Sequence, residues 1–242
     1  MLFFNMEFNN PKTGLIFLIT CVLGCQNIPQ GIKPATETIK VTQNGSPKPQ
    51  SLAQQALTSN NQYLSRSVVI STAAKAEFER AVALLANNEL SLAKSAFESL
   101  SRTVPLLSGP WLKLGDIAVK RQQPDIAIAL YQTALDKNKH NYFARNRLAL
   151  LYRQQGLFKK AENEYQQALA SWPGFNIARL NLGILYDLYL GHKPEALEQY
   201  RLYQKLNTLQ GHKLNKQVKG WVADLSRQVA NQAVKSEEQD NG

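Results

Sequence analysis

From Ala76 onward, small and apolar positions recur at a fixed interval. Ala93, Ala127 and Ala161 lie 34 residues apart, as do Phe97, Tyr131 and Tyr165, and again Leu100, Ala134 and Ala168. A fourth set, Ala196, Tyr200 and Tyr203, follows after one extra residue. The pattern assigns that residue to the loop around Gly191, His192 and Lys193. Self-similarity at such a period means stacked copies of one supersecondary unit. Alanine, leucine and glutamine abound and β-branched runs are rare after residue 75, so the unit is predicted to be helical. Pro124, Gly156 and Pro194 mark turns between helices. Beyond the fourth set, Val218, Trp221, Val222, Leu225 and Val229 share one helical face. This predicts a helix that caps the last repeat, with a partner-binding helix as the rival reading. The polar residues 236–242 are expected to fray.

The repeats carry recognisable motifs. Trp111-x-x-Leu114-Gly115 opens the second unit, Leu148-Ala149-x-x-Tyr152 the third and Leu182-Gly183-x-x-Tyr186 the fourth, while Pro105 and Pro173 close the first and third. Across residues 75–208 the chain resembles the tetratricopeptide repeat (TPR) family. The resemblance implies an all-α fold: a right-handed solenoid of about four helical hairpins, plus the C-terminal capping helix. Each unit would be two antiparallel helices. Small residues such as Gly115, Ala127, Ala161 and Gly183 would let the helices approach. Tyr131, Tyr152, Tyr165 and Tyr186 would fill the space towards the next unit, because no unit buries its apolar face alone. The first unit departs from the family pattern at Glu77 and Ala81. In the second, Ala118 stands where the family has tyrosine.

Such solenoids present a concave groove to a peptide or helix. Carried over from the family's groove positions, the candidate binding residues are Leu112, Asp116, Phe143, Asn146, Leu150, Arg153, Ile177 and Ile184. Some relatives grip a C-terminal carboxylate with Lys and Asn on successive first helices. Leu112, Asp116, Asn146, Leu150 and Asn181 do not reproduce that clamp.

The chain ahead of the repeats reads differently. Lys12 precedes the apolar run Leu15–Gly24, which is too short to span a bilayer but fits the apolar part of a secretory signal. Val22-Leu23-Gly24-Cys25 resembles a bacterial lipobox, a better match than the segment ending at Cys21. The resemblance implies that Cys25 is acylated and becomes the mature N-terminus. With Gln26 rather than aspartate after it, it also implies the periplasmic face of the outer membrane. Residues 26–66 mix Pro29, Pro34, Pro47 and Pro49 with polar residues and show no apolar period. They read as a disordered tether reaching roughly 35 Å. The expected organisation is therefore a signal peptide (1–24), a lipidated cysteine and flexible linker (25–66), the solenoid (67–208), and a capping helix with its tail (209–242).

Composition narrows the function. The formal net charge is +10, which attracts anionic partners without choosing among them. Lys137, Lys139, His140, Arg145, Arg147, Arg153, Lys159 and Lys160 fall within one unit's reach, giving either a solvated face or a docking surface. Cys21 and Cys25 are the sole cysteines, so the body can build neither a disulfide scaffold nor a thiolate metal site. His140, His192 and His212 stand far apart, without metal-ligand spacing. There is no Gly-rich phosphate loop, HExxH or nucleophile elbow. Glu162, Glu164, Glu195 and Glu198 read as solvated carboxylates. The expectation is a non-enzyme without cofactor or metal that binds envelope proteins through its groove and the membrane through acyl chains on Cys25, with no nucleic acid. The alternative is a binder of an anionic polymer such as an exopolysaccharide, through the basic face.

Overall fold

The computed structural model describes residues 50–65, 68–213 and 215–240. The signal peptide, the lipobox cysteine Cys25 and the linker as far as residue 49 lie outside the described residues. Two short helices, α1 (Leu52–Thr58) and α2 (Gln62–Ser65), come first. Four hairpins follow: α3 (Thr72–Ala86) with α4 (Leu90–Thr103), α5 (Ser108–Lys120) with α6 (Pro124–Lys137), α7 (Tyr142–Gln154) with α8 (Phe158–Ser171), and α9 (Asn176–Leu185) with α10 (Lys193–Leu209). A π-turn, Tyr186–Leu190, extends α9, and α11 (Lys216–Asp240) closes the chain. No strand occurs among the described residues. The fold is the all-α TPR solenoid.

Local chemistry explains the boundaries. Ser71 caps α3 by accepting the Ala74 N–H at 3.1 Å, and Asn141 caps α7 by accepting the Ala144 N–H at 3.0 Å. Each satisfies a donor that the first helical turn leaves unpaired. Proline stands in the first turn of α6 and α10, where its missing N–H is no loss. Every hairpin turn passes through one left-handed residue: Asn88, Gln122, Gly156 and Gly191. In the first three turns the N–H after that residue reaches back to a carbonyl five positions earlier: Glu89 to Leu84, Gln123 to Ala118 and Leu157 to Tyr152. This is the Schellman closure of a helix end.

The fourth turn shows where the extra residue sits. His192 N–H bonds the Tyr186 carbonyl at 2.9 Å, six positions back. The left-handed residues are spaced 34 apart up to Gly156 and 35 apart from there to Gly191. Since Tyr186 keeps the repeat register, the insertion falls inside the π-turn, not in the loop around Gly191, His192 and Lys193 that the sequence pattern favoured. A widened helical turn absorbs one residue without breaking the helix.

Packing follows the repeat. Tyr131, Tyr165 and Tyr200 are at most 1% exposed and sit at the heart of their hairpins. A Cβ on Gly183 would stand 2.7 Å from the Tyr200 ring, so glycine there lets α9 and α10 close on it. Val218 and Leu225 of α11 are buried, and Trp221 lies 5.3 Å from the Tyr200 ring. The predicted cap thus covers the fourth hairpin. The helix runs on to Asp240, through the segment expected to fray.

One correction concerns the linker. Residues 51–65, assigned to the flexible tether, are folded. A capping box of Ser51 and Gln54 starts α1, and Ala53 and Ala56 pack on Leu206 of α10. The chain then crosses the ends of the hairpins in reverse order. Gln62 donates to the Ala170 carbonyl at 3.2 Å and Asn61 to the Tyr142 hydroxyl at 3.4 Å. Asn138 donates to the Tyr63 carbonyl and Ser108 to the Tyr63 hydroxyl. This strap touches the fourth, third and second hairpins before α3 begins the first.

Candidate functional site: the groove of the first helices

The first helices of the hairpins lie side by side, α3 beside α5 and α7 beside α9. They form the inner side of the stack, where the sequence placed the binding residues. The structure divides those residues in two. Leu112 is only 8% exposed and joins the core of Ala127, Tyr131 and Leu148. Asn146 is 3% exposed, and its Oδ1 accepts from Asn181 Nδ2 at 2.9 Å, stitching α7 to α9. The Asp116 carboxylate accepts from the Tyr131 hydroxyl at 2.9 Å, Arg147 Nε at 3.1 Å and Lys113 Nζ at 3.4 Å. Leu112 and Asn146 belong to the packing beneath the groove rather than to its lining, while Asp116 is half-buried and already holds two cations. The neighbouring repeat stands close enough to take up the side chains that a single helix would expose.

Phe143, Leu150, Arg153, Ile177 and Ile184 remain accessible to different degrees. Phe143 is 42% exposed and belongs to an aromatic group at the strap edge, its ring centroid 4.3 Å from Tyr142, 5.4 Å from Phe175 and 6.2 Å from Tyr63. Leu150, Ile177 and Ile184 are half-buried against the core of the third and fourth hairpins. Arg153 is half-buried too, with its guanidinium carbon 5.7 Å from the centre of the Tyr189 ring.

Arg153 Nη1 is buried and finds no acceptor among the described residues, and the Tyr165 hydroxyl is in the same position. Burial raises the Tyr165 pKa above the ordinary tyrosine range, partly opposed by the positive charge of Arg153. Two donors in one neighbourhood therefore lack an acceptor, a costly state for buried polar groups. Sequence reasoning named Arg153 but missed Tyr165 and Tyr189. Tyr165 read as core, which it is, while its hydroxyl is the part with chemistry left over. Tyr189 lies in the inserted π-turn, so the break in the repeat was the available signal.

The basic residues do not form one free surface. Arg145 pairs with Glu164 at 2.8 Å, Arg147 with Asp116, and Lys159 with Glu162 at 3.1 Å. Lys160 lies 5.6 Å from the centre of the Tyr152 ring. Burial, and then the charges of Lys139 and Arg145, lower the His140 pKa. The carboxylates Glu162 and Glu164, expected to be merely solvated, are partners of these cations. Among the described residues no cluster of His, Cys, Asp or Glu could hold a metal ion, and no helix is long and apolar enough to cross a membrane.

Residues 112–174 and 146–208 match the profile of the tetratricopeptide repeat family. Residues 112–208 are thus a TPR array, of the class that mediates protein–protein interaction through its stacked helical surface. Among solved structures, the chain is similar to one from a functional characterisation of Pseudomonas aeruginosa pilF. The TM-score is 0.57 at 19% identity, covering 66% of this chain and 70% of that one. It is also similar to a tetratricopeptide repeat protein from Parabacteroides merdae, with a TM-score of 0.53 at 21% identity, covering 66% of this chain and 62% of that one. At these identities the likeness establishes the fold alone. No curated protein matches the sequence.

Proposed function

We propose that this protein is a non-enzymatic scaffold, lipid-anchored through Cys25 on the periplasmic face of the outer membrane, that holds an envelope protein by an acidic, partly apolar segment. The observation that carries the binding mode is the half-buried Arg153 guanidinium, which forms no ion pair with a carboxylate among the described residues and shares a helix face with Leu150. A carboxylate of the partner would accept from this arginine, while Leu150, Ile177 and Ile184 supply apolar anchors for the flanking residues. The location rests on the signal-like run ending in Gly24-Cys25. A part in envelope assembly, such as pilus or secretin biogenesis or recruitment of cell-wall enzymes, fits an anchored TPR protein.

Two experiments test this reading. A photocrosslinking residue placed at Ile184 should capture a partner in cells. The combined Leu150→Ala and Arg153→Ala variant should weaken that capture at least about tenfold, since each 1.4 kcal/mol is a factor of ten. Normal capture by this variant, with salt-sensitive loss on substitution of Lys137, Lys159 and Lys160, would refute the groove and favour an anionic polymer on the basic face. For the anchor, Cys25→Ser is expected to move the protein from the membrane to the soluble fraction. A variant that stays fully membrane-bound removes the lipidation reading.

A further inference from the structure

In the third and fourth units a tyrosine of the first helix reaches back to the second helix of the preceding unit. The Tyr152 hydroxyl accepts from Gln132 Nε2 at 3.4 Å. The Tyr186 hydroxyl donates to Glu162 at 3.1 Å and accepts from Gln166 at 3.2 Å. The second unit has Ala118 at this place. One period before Gln132 stands Glu98, and two periods before Glu162 stands Lys94. Both side chains border a cavity of about 560 Å³ between α4, α5 and α6, and Ala118 is part of its wall. The cavity lies where the absent ring would have packed.

Its chemistry is asymmetric. Trp111, Leu114, Ile117 and Leu130 give it an apolar floor. Lys94, Arg102 and Arg121 bring three cations to the rim against one carboxylate, Glu98, which Lys94 already pairs at 3.2 Å. The Trp111 indole N–H is itself buried out of reach of solvent and finds no acceptor among the described residues, so it reports on the floor rather than lining the hollow. The volume falls in the range of ligand-holding pockets, about 300–1,000 Å³. An apolar hollow shaped for a ring and surplus positive charge at its rim together specify an aromatic guest that carries carboxylates.

We propose that this cavity is a second docking site, taking an aromatic side chain of a partner protein flanked by acidic residues. The guest ring occupies the place that Tyr152 and Tyr186 fill from within the chain. A carboxylate beside it pairs with the exposed Arg102 and Arg121 at the rim. None of the groove residues lines the cavity, so this site stands or falls independently of the groove.

The test uses the full chain and a blocked Asp-Tyr-Asp tripeptide as probe, read by the NMR resonance of the Trp111 indole N–H, assigned with Trp111→Phe. Addition of the peptide should shift that resonance saturably. Ala118→Tyr should abolish the shift with the melting temperature unchanged or raised, since the new ring plugs the hollow. The combined Arg102→Ala and Arg121→Ala variant, which alters only rim side chains, should weaken binding at least about tenfold, or 1.4 kcal/mol. A blocked Asp-Ala-Asp peptide should not bind. The proposal is overturned if the wild type shows no saturable shift at millimolar peptide. Equal binding by the alanine peptide, or unchanged binding in either variant, overturns it as well.

Discussion

Tyr131, Tyr165 and Tyr200 show how much one side chain does in a stack of small units. Each is almost wholly buried, and burial raises the pKa of each above the ordinary tyrosine range; for Tyr131 and Tyr200 a neighbouring carboxylate, Asp116 or Asp187, adds to the effect. Truncating Tyr165 to alanine is expected to destabilise the fold by about 3–5 kcal/mol, as for other large aromatic side chains cut from a core. Urea unfolding followed by circular dichroism measures it, and a loss under about 1 kcal/mol would place the ring outside the core. The same tyrosines set the response to alkali. In the folded protein they stay protonated, while in the unfolded chain they ionise near the usual value of about 10. Stability is therefore fully present below about pH 10 and falls as the pH rises through the folded values. Urea midpoints should be level up to about pH 9 and decline above it, and a midpoint that holds constant to about pH 11.5 would contradict this.

At the scale of the helical element, the repeat pattern alone made the hairpins and the cap legible. Small and aromatic residues at fixed spacing leave little freedom in where a helix pair must pack. The same pattern could not resolve contacts between units. Leu112 and Asn146 occupy groove positions by register, yet the closeness of the adjoining helices buries both. The extra residue was legible but not its place, because a π-turn and a longer loop shift the register equally. The strap went unread, although Ser51 and Gln54 form a capping-box signature at its start. Its apolar residues, Leu52, Ala53, Ala56, Leu57, Tyr63 and Leu64, are scattered among glutamines, asparagines and serines in a segment too short to show a repeat. Close approach within a hairpin offers a direct check. Gly183→Ala puts a methyl against the Tyr200 ring and is expected to cost about 1–3 kcal/mol, the range for overpacking a filled core. An unchanged urea midpoint would show that α9 and α10 can separate without penalty.

For the whole molecule, the strap changes how the parts depend on one another. In a simple solenoid each repeat contacts only its neighbours, and stability is roughly a sum of local terms. Here the segment that begins against Leu206 also touches Ala170, Tyr142, Asn138 and Ser108, and so ties three hairpins together. Tyr63→Ala removes edge-to-face contacts with Tyr142 and Phe143, and is expected to cost about 1–3 kcal/mol. Hydrogen exchange should then quicken in α7 and in the last turns of α10 together. Quickening confined to α2 would mean that the strap is an ornament on an ordinary stack.

The strap also fixes where a pull is felt. Although α3 is the first helix of the first hairpin, the chain enters the folded unit beside α10, at the last one. Under the proposed anchoring, any tension between membrane and captured partner arrives at Ser51. It must peel α1 from α10, then α2 from the aromatic edge, one contact after another, before any hairpin bears load. Contacts broken in sequence yield at lower force than contacts loaded all at once, so in that arrangement the strap would act as a mechanical fuse, giving way before the hairpins do.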